Sequence, residues 1–121
     1  MIKKLAKITS AKLQIQERGI LTFWIHIVHE DGGCQAIGGF ALDDYDEKTE
    51  SRVGTVYGCE MIRRLLLELD VDDFSEMKDQ IIWVYGEGED FNFRISGLSK
   101  LKVNGGNDKP LIFVDILNEF I

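Results

Sequence analysis

The sequence predicts an α+β fold, a twisted antiparallel β-sheet packed against one long helix, in a single domain over residues 1–121. Three observations carry the prediction. Apolar and polar residues alternate in the segments up to Leu42, apolar residues recur at helical spacing between Ser51 and Asp70, and β-favouring runs return from Ile81 onward. The chain is 121 residues long and 45% apolar, with seven Phe, three Tyr and two Trp, so it is one domain with a real core rather than a disordered segment.

The elements follow in order. Ala11, Leu13 and Ile15 alternate with Lys12, Gln14 and Gln16, the period of a half-buried strand. Glu17-Arg18-Gly19 makes a turn. Leu21, Phe23, Ile25 and Ile27 then line one face of a second strand and Thr22, Trp24, His26 and Val28 the other, which predicts a central strand covered on both sides. Asp31-Gly32-Gly33 is a hairpin turn into a third strand, Cys34–Leu42, where Gly38-Gly39 signals a bulge or a close backbone approach. These three strands form an antiparallel meander. Asp43–Glu50 reads as an acidic surface loop.

From Ser51 to Asp70 the period changes: Val56, Met61, Ile62, Leu65, Leu66 and Leu69 form a helical stripe, with Glu60, Arg64 and Glu68 four apart on the outer face. Val71–Lys78 is expected as a short helical turn capped by Asp72 or Asp73. Ile81–Tyr85 is a strand, Gly86–Asp90 turns it back, and Phe91–Val103 continues as strand with an interruption at Gly97. Asn104–Asp108 is a loop, after which Pro110 opens a last apolar segment from Leu111 to Ile121.

Charge narrows the function. Lys and Arg number 14 against 21 Asp and Glu, a net charge of −7. Non-specific binding to duplex nucleic acid and adsorption to an anionic membrane both need a basic surface. No apolar run approaches the ~20 residues of a bilayer span, and Met1–Lys7 is not followed by the apolar stretch of a signal peptide. Cys34 and Cys59 lack metal or redox spacing, so two reduced thiols in a cytoplasmic protein are expected.

Three groups of residues are candidates for binding. In Arg52-Val53-Gly54-Thr55-Val56-Tyr57-Gly58, small residues stand where a helix begins, next to an arginine. A helix start exposes unpaired N–H groups, so a phosphate docked at Gly54 and Thr55 with Arg52 over it is one reading. The plainer reading is that Thr55 caps the helix and Gly58 permits close packing. Arg63 has no carboxylate four residues away and is the better of the Arg63-Arg64 pair for reaching a ligand or a neighbouring subunit. Trp83, Tyr85, Phe91, Asn92, Phe93 and Arg94 offer a flat surface and an amide on consecutive strands, which suits a purine, although alternation sends half of them to the core.

Catalytic signatures are weaker. His26 and His29 face opposite sides of a strand, His26 being expected as a core-side histidine, and no serine stands in a nucleophile elbow. No metal site and no cofactor are expected.

Gly19-Ile20-Leu21-Thr22 before a Trp-bearing strand, Gly38-Gly39-Phe40-Ala41-Leu42-Asp43, and Arg52–Gly58 followed by Glu60 and Ile62-Arg63-Arg64 resemble a family of small phage and prophage proteins, the Thoeris anti-defence sponges of the first Tad family. The resemblance covers residues 8–75. It implies a protein, not an enzyme, that binds a cyclic ADP-ribose isomer made by the host's immune enzyme and holds it intact, so that the downstream effector stays silent. It further implies dimers that assemble into hexamers, and a separate capacity for cyclic oligonucleotides. Carried over by residue, it implies ligand contacts from Arg52, Gly54, Thr55 and Arg63, with Asn92 beside Phe91 on the base or ribose. Lys109, in Asn107-Asp108-Lys109-Pro110, stands where relatives carry an arginine and offers a point charge in place of a fork. The competing expectation is an acidic interaction module that inhibits a host protein directly through the Asp43–Glu50 segment.

Overall fold

Alternation that reverses phase in mid-strand marks the longest element of the protein. A computed structural model describes residues 1–102 and 109–120. The chain runs β1 (Ile2–Gln16), β2 (Ile20–His29), β3 (Cys34–Gly38), β4 (Asp43–Asp46), β5 (Ser51–Gly54), α1 (Val56–Leu69), β6 (Ile81–Glu87), β7 (Arg94–Lys100), β8 (Leu111–Ile112) and α2 (Phe113–Glu119). Short 3-10 turns stand at Glu17–Gly19, Phe74–Met77 and Asp90–Asn92. The main sheet is antiparallel in the order β3-β2-β1-β6-β7-β8, and β4 and β5 form a separate hairpin.

The α+β prediction agrees with this architecture, with α2 added to the long helix. One face of the sheet buries Ile8, Phe23, Ile25, Ile27, Ile82 and Val84 against Met61, Leu65 and Leu69 of α1, with Phe74, Met77, Phe113 and Ile116 closing the cluster. Gly58, Met61, Leu65 and Leu69 form the buried stripe of α1, while Val56, expected on it, is exposed. Asp73 caps the Phe74–Met77 turn by accepting the Glu76 N–H at 3.2 Å.

Several boundaries differ from expectation for identifiable reasons. β1 starts at Ile2, not Ala11, because the register steps from Ile8↔Ile27 to Ser10↔His26 and leaves Thr9 as an extra residue. Ala6 and Ile8 therefore point inward before the bulge, and the odd-numbered Ala11, Leu13 and Ile15 point the same way after it. Leu13 and Ile15 are nevertheless 43% and 63% exposed, since β6 pairs with β1 only from Ile2 to Lys7 and the hairpin arm extends past it. β2 is central but open on its second face, where His26 is exposed and Trp24 and Val28 are half-buried.

β3 ends at Gly38 rather than Leu42. Gly38 and Gly39 adopt φ of 122° and 78°, and a Cβ on Gly39 would lie 2.5 Å from the Trp24 ring. The close approach signalled by this pair thus ends the strand. The Asp43–Glu50 segment is not simply a loop, because Asp43–Asp46 pairs with Ser51–Gly54. That pairing also delays the helix, which starts at Val56 instead of Ser51. The strand expected over Phe91–Val103 is confined to Arg94–Lys100; Val103, the Asn104–Asp108 loop and Ile121 lie outside the described residues. Arg64 bonds Glu60 at 3.1 Å and, on α2, Glu119 at 2.7 Å, an inter-helix partner that helical spacing does not reveal.

A Cβ on Gly58 would sit 1.9 Å from the Leu42 carbonyl oxygen, whereas one on Gly54 would meet nothing within 4 Å. Gly58→Ala is expected to destabilise the fold by about 1–3 kcal/mol, the usual range for overpacking. Gly54→Ala should stay within ~0.5 kcal/mol of the parent. Urea denaturation of the two variants checks the contrast.

Candidate functional site

At the start of α1 the side chains expected to grip an anion are engaged within the chain. The Arg52 guanidinium donates from Nε at 3.0 Å and from Nη2 at 2.8 Å to Asp43 Oδ1, and from Nη2 to the Asp43 carbonyl at 3.0 Å. Asp43 Oδ2 accepts the Leu21 N–H at 3.1 Å. The pair is shielded, with the Asp43 side chain 7% and the Arg52 side chain 24% exposed. The Arg52 hydrogen bond holds the Asp43 carboxyl below the usual carboxylate range, desolvation opposing it and the Leu21 N–H adding to it.

Thr55 is the helix cap: its Oγ1 accepts the Gly58 N–H at 3.0 Å and donates to the Leu42 carbonyl at 2.7 Å. Capping and close packing, the plainer of the two readings, therefore account for Thr55 and Gly58. Gly54 is exposed, as is Arg63, whose nearest carboxylate is Glu60 at 4.0 Å.

The aromatic group divides. Trp83 is half-buried on the sheet face turned away from α1, with Lys3 Nζ 4.2 Å from its ring. Phe91 and Asn92 are not beside it on an adjacent strand, as alternation suggested. Asp90 takes a positive φ of 50°, and the chain makes a 3-10 turn before β7. Phe93 drops into the core and Phe91 is left fully exposed, with Asn92 exposed next to it. Lys109 is exposed, and its neighbours Asn107 and Asp108 lie outside the described residues.

Phe91 stands at the rim of a pocket of about 250 Å³ whose wall includes Lys4, His29, Asp31, Gln35 and Asp90. Gln35 orients that wall. Its amide faces the Phe93 carbonyl at 2.8 Å, and a carbonyl only accepts, so the nitrogen of Gln35 is turned there. The Gln35 oxygen, 2.6 Å from His29 Nε2, therefore accepts a hydrogen bond from the ring N–H. Neutral His29 thus carries its hydrogen on Nε2 and presents a lone pair on Nδ1, a buried atom with no hydrogen-bond partner among the described residues. An unsatisfied buried acceptor is costly and calls for a donor. Lys4 completes the wall, its Nζ 4.3 Å from the Phe93 ring.

Lys4 and Gln35 carry no motif in the sequence, and His29 stands there only beside His26 as a candidate metal ligand. The bulge at Thr9 hides the phase of Lys4, but His29 continues the odd-numbered inward face of β2, a signal that alternation already carried.

The two groups are far apart. Arg52 packs beside Gly19 and its partner Asp43 bonds Leu21, at the start of β2, while the Phe91 pocket adjoins Asp31 and Gly33, just past the end of β2. Nine residue steps of extended chain separate Ile20 from His29, about 30 Å at ~3.3 Å each. One small molecule does not touch both groups of a single chain.

His26, expected on the core side, is exposed on the opposite face, its Nδ1 3.2 Å from Ser10 Oγ. Among the described residues no group of three His, Cys, Asp or Glu side chains is arranged to hold a metal, and no helix is long and apolar enough to cross a membrane. Compared with protein-family models, curated proteins and solved structures, the chain matches none.

The Asp43–Arg52 pair makes stability depend on pH. A folded-state carboxyl depressed by its partner contributes stability above the ordinary Asp value of about 3.9, and that contribution is lost as pH falls through the folded value. Asp43→Asn is expected to unfold at lower urea than the parent at about pH 7, with the difference shrinking below about pH 4. Paired urea titrations across that range check it.

Proposed function

We propose that the protein binds and sequesters a small cyclic nucleotide of the cyclic ADP-ribose type without converting it, as a phage or prophage anti-defence protein acting in the cytoplasm of the bacterial host. The observation that supports this reading best is Phe91, fully exposed at the mouth of a pocket whose wall holds the Lys4 cation and the ring of His29, with its buried unsatisfied Nδ1. A nucleobase stacks on Phe91, a phosphate meets Lys4, and a base or ribose donor satisfies His29 Nδ1. Stacking contributes roughly 1–3 kcal/mol and a charge-assisted hydrogen bond about 1.5–3 kcal/mol, so two or three such contacts reach micromolar affinity or better only in a preformed pocket. The His29–Gln35–Phe93 chain of hydrogen bonds supplies that preorganisation. The resemblance at residues 8–75 supplies the cyclic ADP-ribose class.

The distance along β2 gives this proposal its assembly. With Arg52 and Thr55 engaged inside the fold, exposed Gly54 and Arg63 are the groups left for a ligand; they reach one held at Phe91 only from another copy, so the complete site lies between subunits of a dimer or hexamer. A second reading, direct inhibition of a host protein through an acidic surface, draws on the β4–β5 hairpin, where exposed Tyr45 and Val53 stand among Asp44, Glu47 and Glu50.

Phe91→Ala is expected to weaken binding of glycocyclic ADP-ribose about tenfold or more, the loss of one stacking contact. Its thermal stability should be unchanged, because the ring is fully exposed. Calorimetry measures the affinity; heat release of the bound ligand followed by mass spectrometry should return it chemically unaltered. No binding by the parent protein, or a changed ligand mass, refutes sequestration.

A further inference from the structure

The sheet face turned away from α1 has a composition unlike the rest of this acidic chain. β1 places Lys3, Lys7 and Lys12 there, β2 places Trp24 and His26, and β6 places Trp83. The register sets Lys12 opposite Trp24 and Ser10 opposite His26. The three lysines and His26 are exposed, and both indoles are half-buried. Among the described residues, Asp79 lies 3.7 Å from Lys7, Glu87 lies 3.7 Å from the amino terminus, and Glu30 lines a pocket with Lys7 at one end of the face. The other carboxylates of the described residues concentrate on the helices, the β4–β5 hairpin and the turns. The bulge at Thr9 opens a shallow groove of about 530 Å³ across the strands, lined by Thr9, Ser10, His26, Cys34 and Ala36.

We infer that this face binds single-stranded nucleic acid, separately from the Phe91 pocket. Lysines spread over about 30 Å of extended strand face successive parts of a phosphate backbone. Trp24 accepts an unstacked base, Trp83 accepts one once Lys3 Nζ, 4.2 Å from its ring, turns to a phosphate, and the hydroxyl, imidazole and amide groups of Ser10, His26 and Gln14 face base edges. Positive charge on this face selects an anionic occupant. The interleaved indoles favour a stacking polymer over an acidic protein surface. A duplex keeps its bases stacked inside and offers none to the indoles, so it is excluded.

The test uses the full-length protein and a fluorescein-labelled 12-nucleotide single strand, with the matching duplex alongside. The only two tryptophans of the chain lie on this face, so their fluorescence should be quenched as anisotropy rises. With three lysine–phosphate contacts, log Kobs against log salt should slope by about −2, and by about −1.4 in Lys12→Ala, following ~0.7 per contact for single strands. Trp24→Leu should lose quenching and affinity; if that variant does not fold, Lys3→Ala and Lys7→Ala still report the slope. Phe91→Ala should bind the strand like the parent, which separates this inference from the cyclic-nucleotide reading. No binding at low salt, equal binding of the duplex, or affinity untouched by the lysine variants overturns it. So does sedimentation showing that the same variants dissolve a self-associated form, because the face is then an interface between copies.

Discussion

The segment from Gly39 to Asp43 has no place in the main sheet, yet it holds three elements to one another. Its N–H groups bond back to β2, Gly39 to the Phe23 carbonyl at 2.9 Å and Leu42 to the Leu21 carbonyl at 2.8 Å. Its carbonyls face α1: Ala41 accepts from the Tyr57 hydroxyl and Leu42 from Thr55 Oγ1. Asp43 then binds both Leu21 on β2 and Arg52 on β5. Backbone polar groups removed from water need partners, and here the partners come from a strand, a hairpin and a helix cap at once. The approach is possible only because residue 58 lacks a side chain. Sheet, hairpin and helix therefore keep their relative positions through one extended stretch of backbone.

That constraint also explains which parts of the structure were legible in the sequence. β2 and α1 could be read because burial of one face imposes a period, and the cap at Asp73 because its chemistry is local. The β4–β5 hairpin was not legible. Asp43 looks like the first residue of a solvated acidic run, and only an arginine nine positions later makes it a buried strand residue. The first half of β1 was concealed by the single extra residue at Thr9, since alternation detects a strand only while its phase is kept. α2 is one short helix of seven residues, too brief for periodicity to separate it from other apolar runs.

The site was legible as residue types and not as geometry. Thr55 and Arg52 were recognised as anion-binding chemistry, but their binding capacity is already used inside the fold. Phe91 was recognised as an aromatic next to an amide, and the turn at Asp90 decides that it faces solvent at a pocket instead of packing beside Trp83. The pocket itself depends on His29, whose tautomer is set by a carbonyl 64 residues away in sequence, through Gln35. A motif search weighs residues by neighbours in sequence; this wall is built from β1, β2, β3 and the turn before β7.

If the ligand site is shared between copies, affinity and assembly become one equilibrium. A ligand that contacts Phe91 on one chain and the start of α1 on another binds the assembled form and not the separate chain, so it stabilises assembly by mass action. The reverse follows by linkage: apparent affinity rises with protein concentration until the assembly is saturated. For a protein that acts by stoichiometric capture this coupling has a direct consequence. Low concentrations leave the signal free, and capture sets in steeply once the chains accumulate past the dissociation constant of the assembly. A site wholly contained in one chain gives no such threshold, so on the proposed shared-site reading the long separation along β2 would shape the response as well as the location of the site.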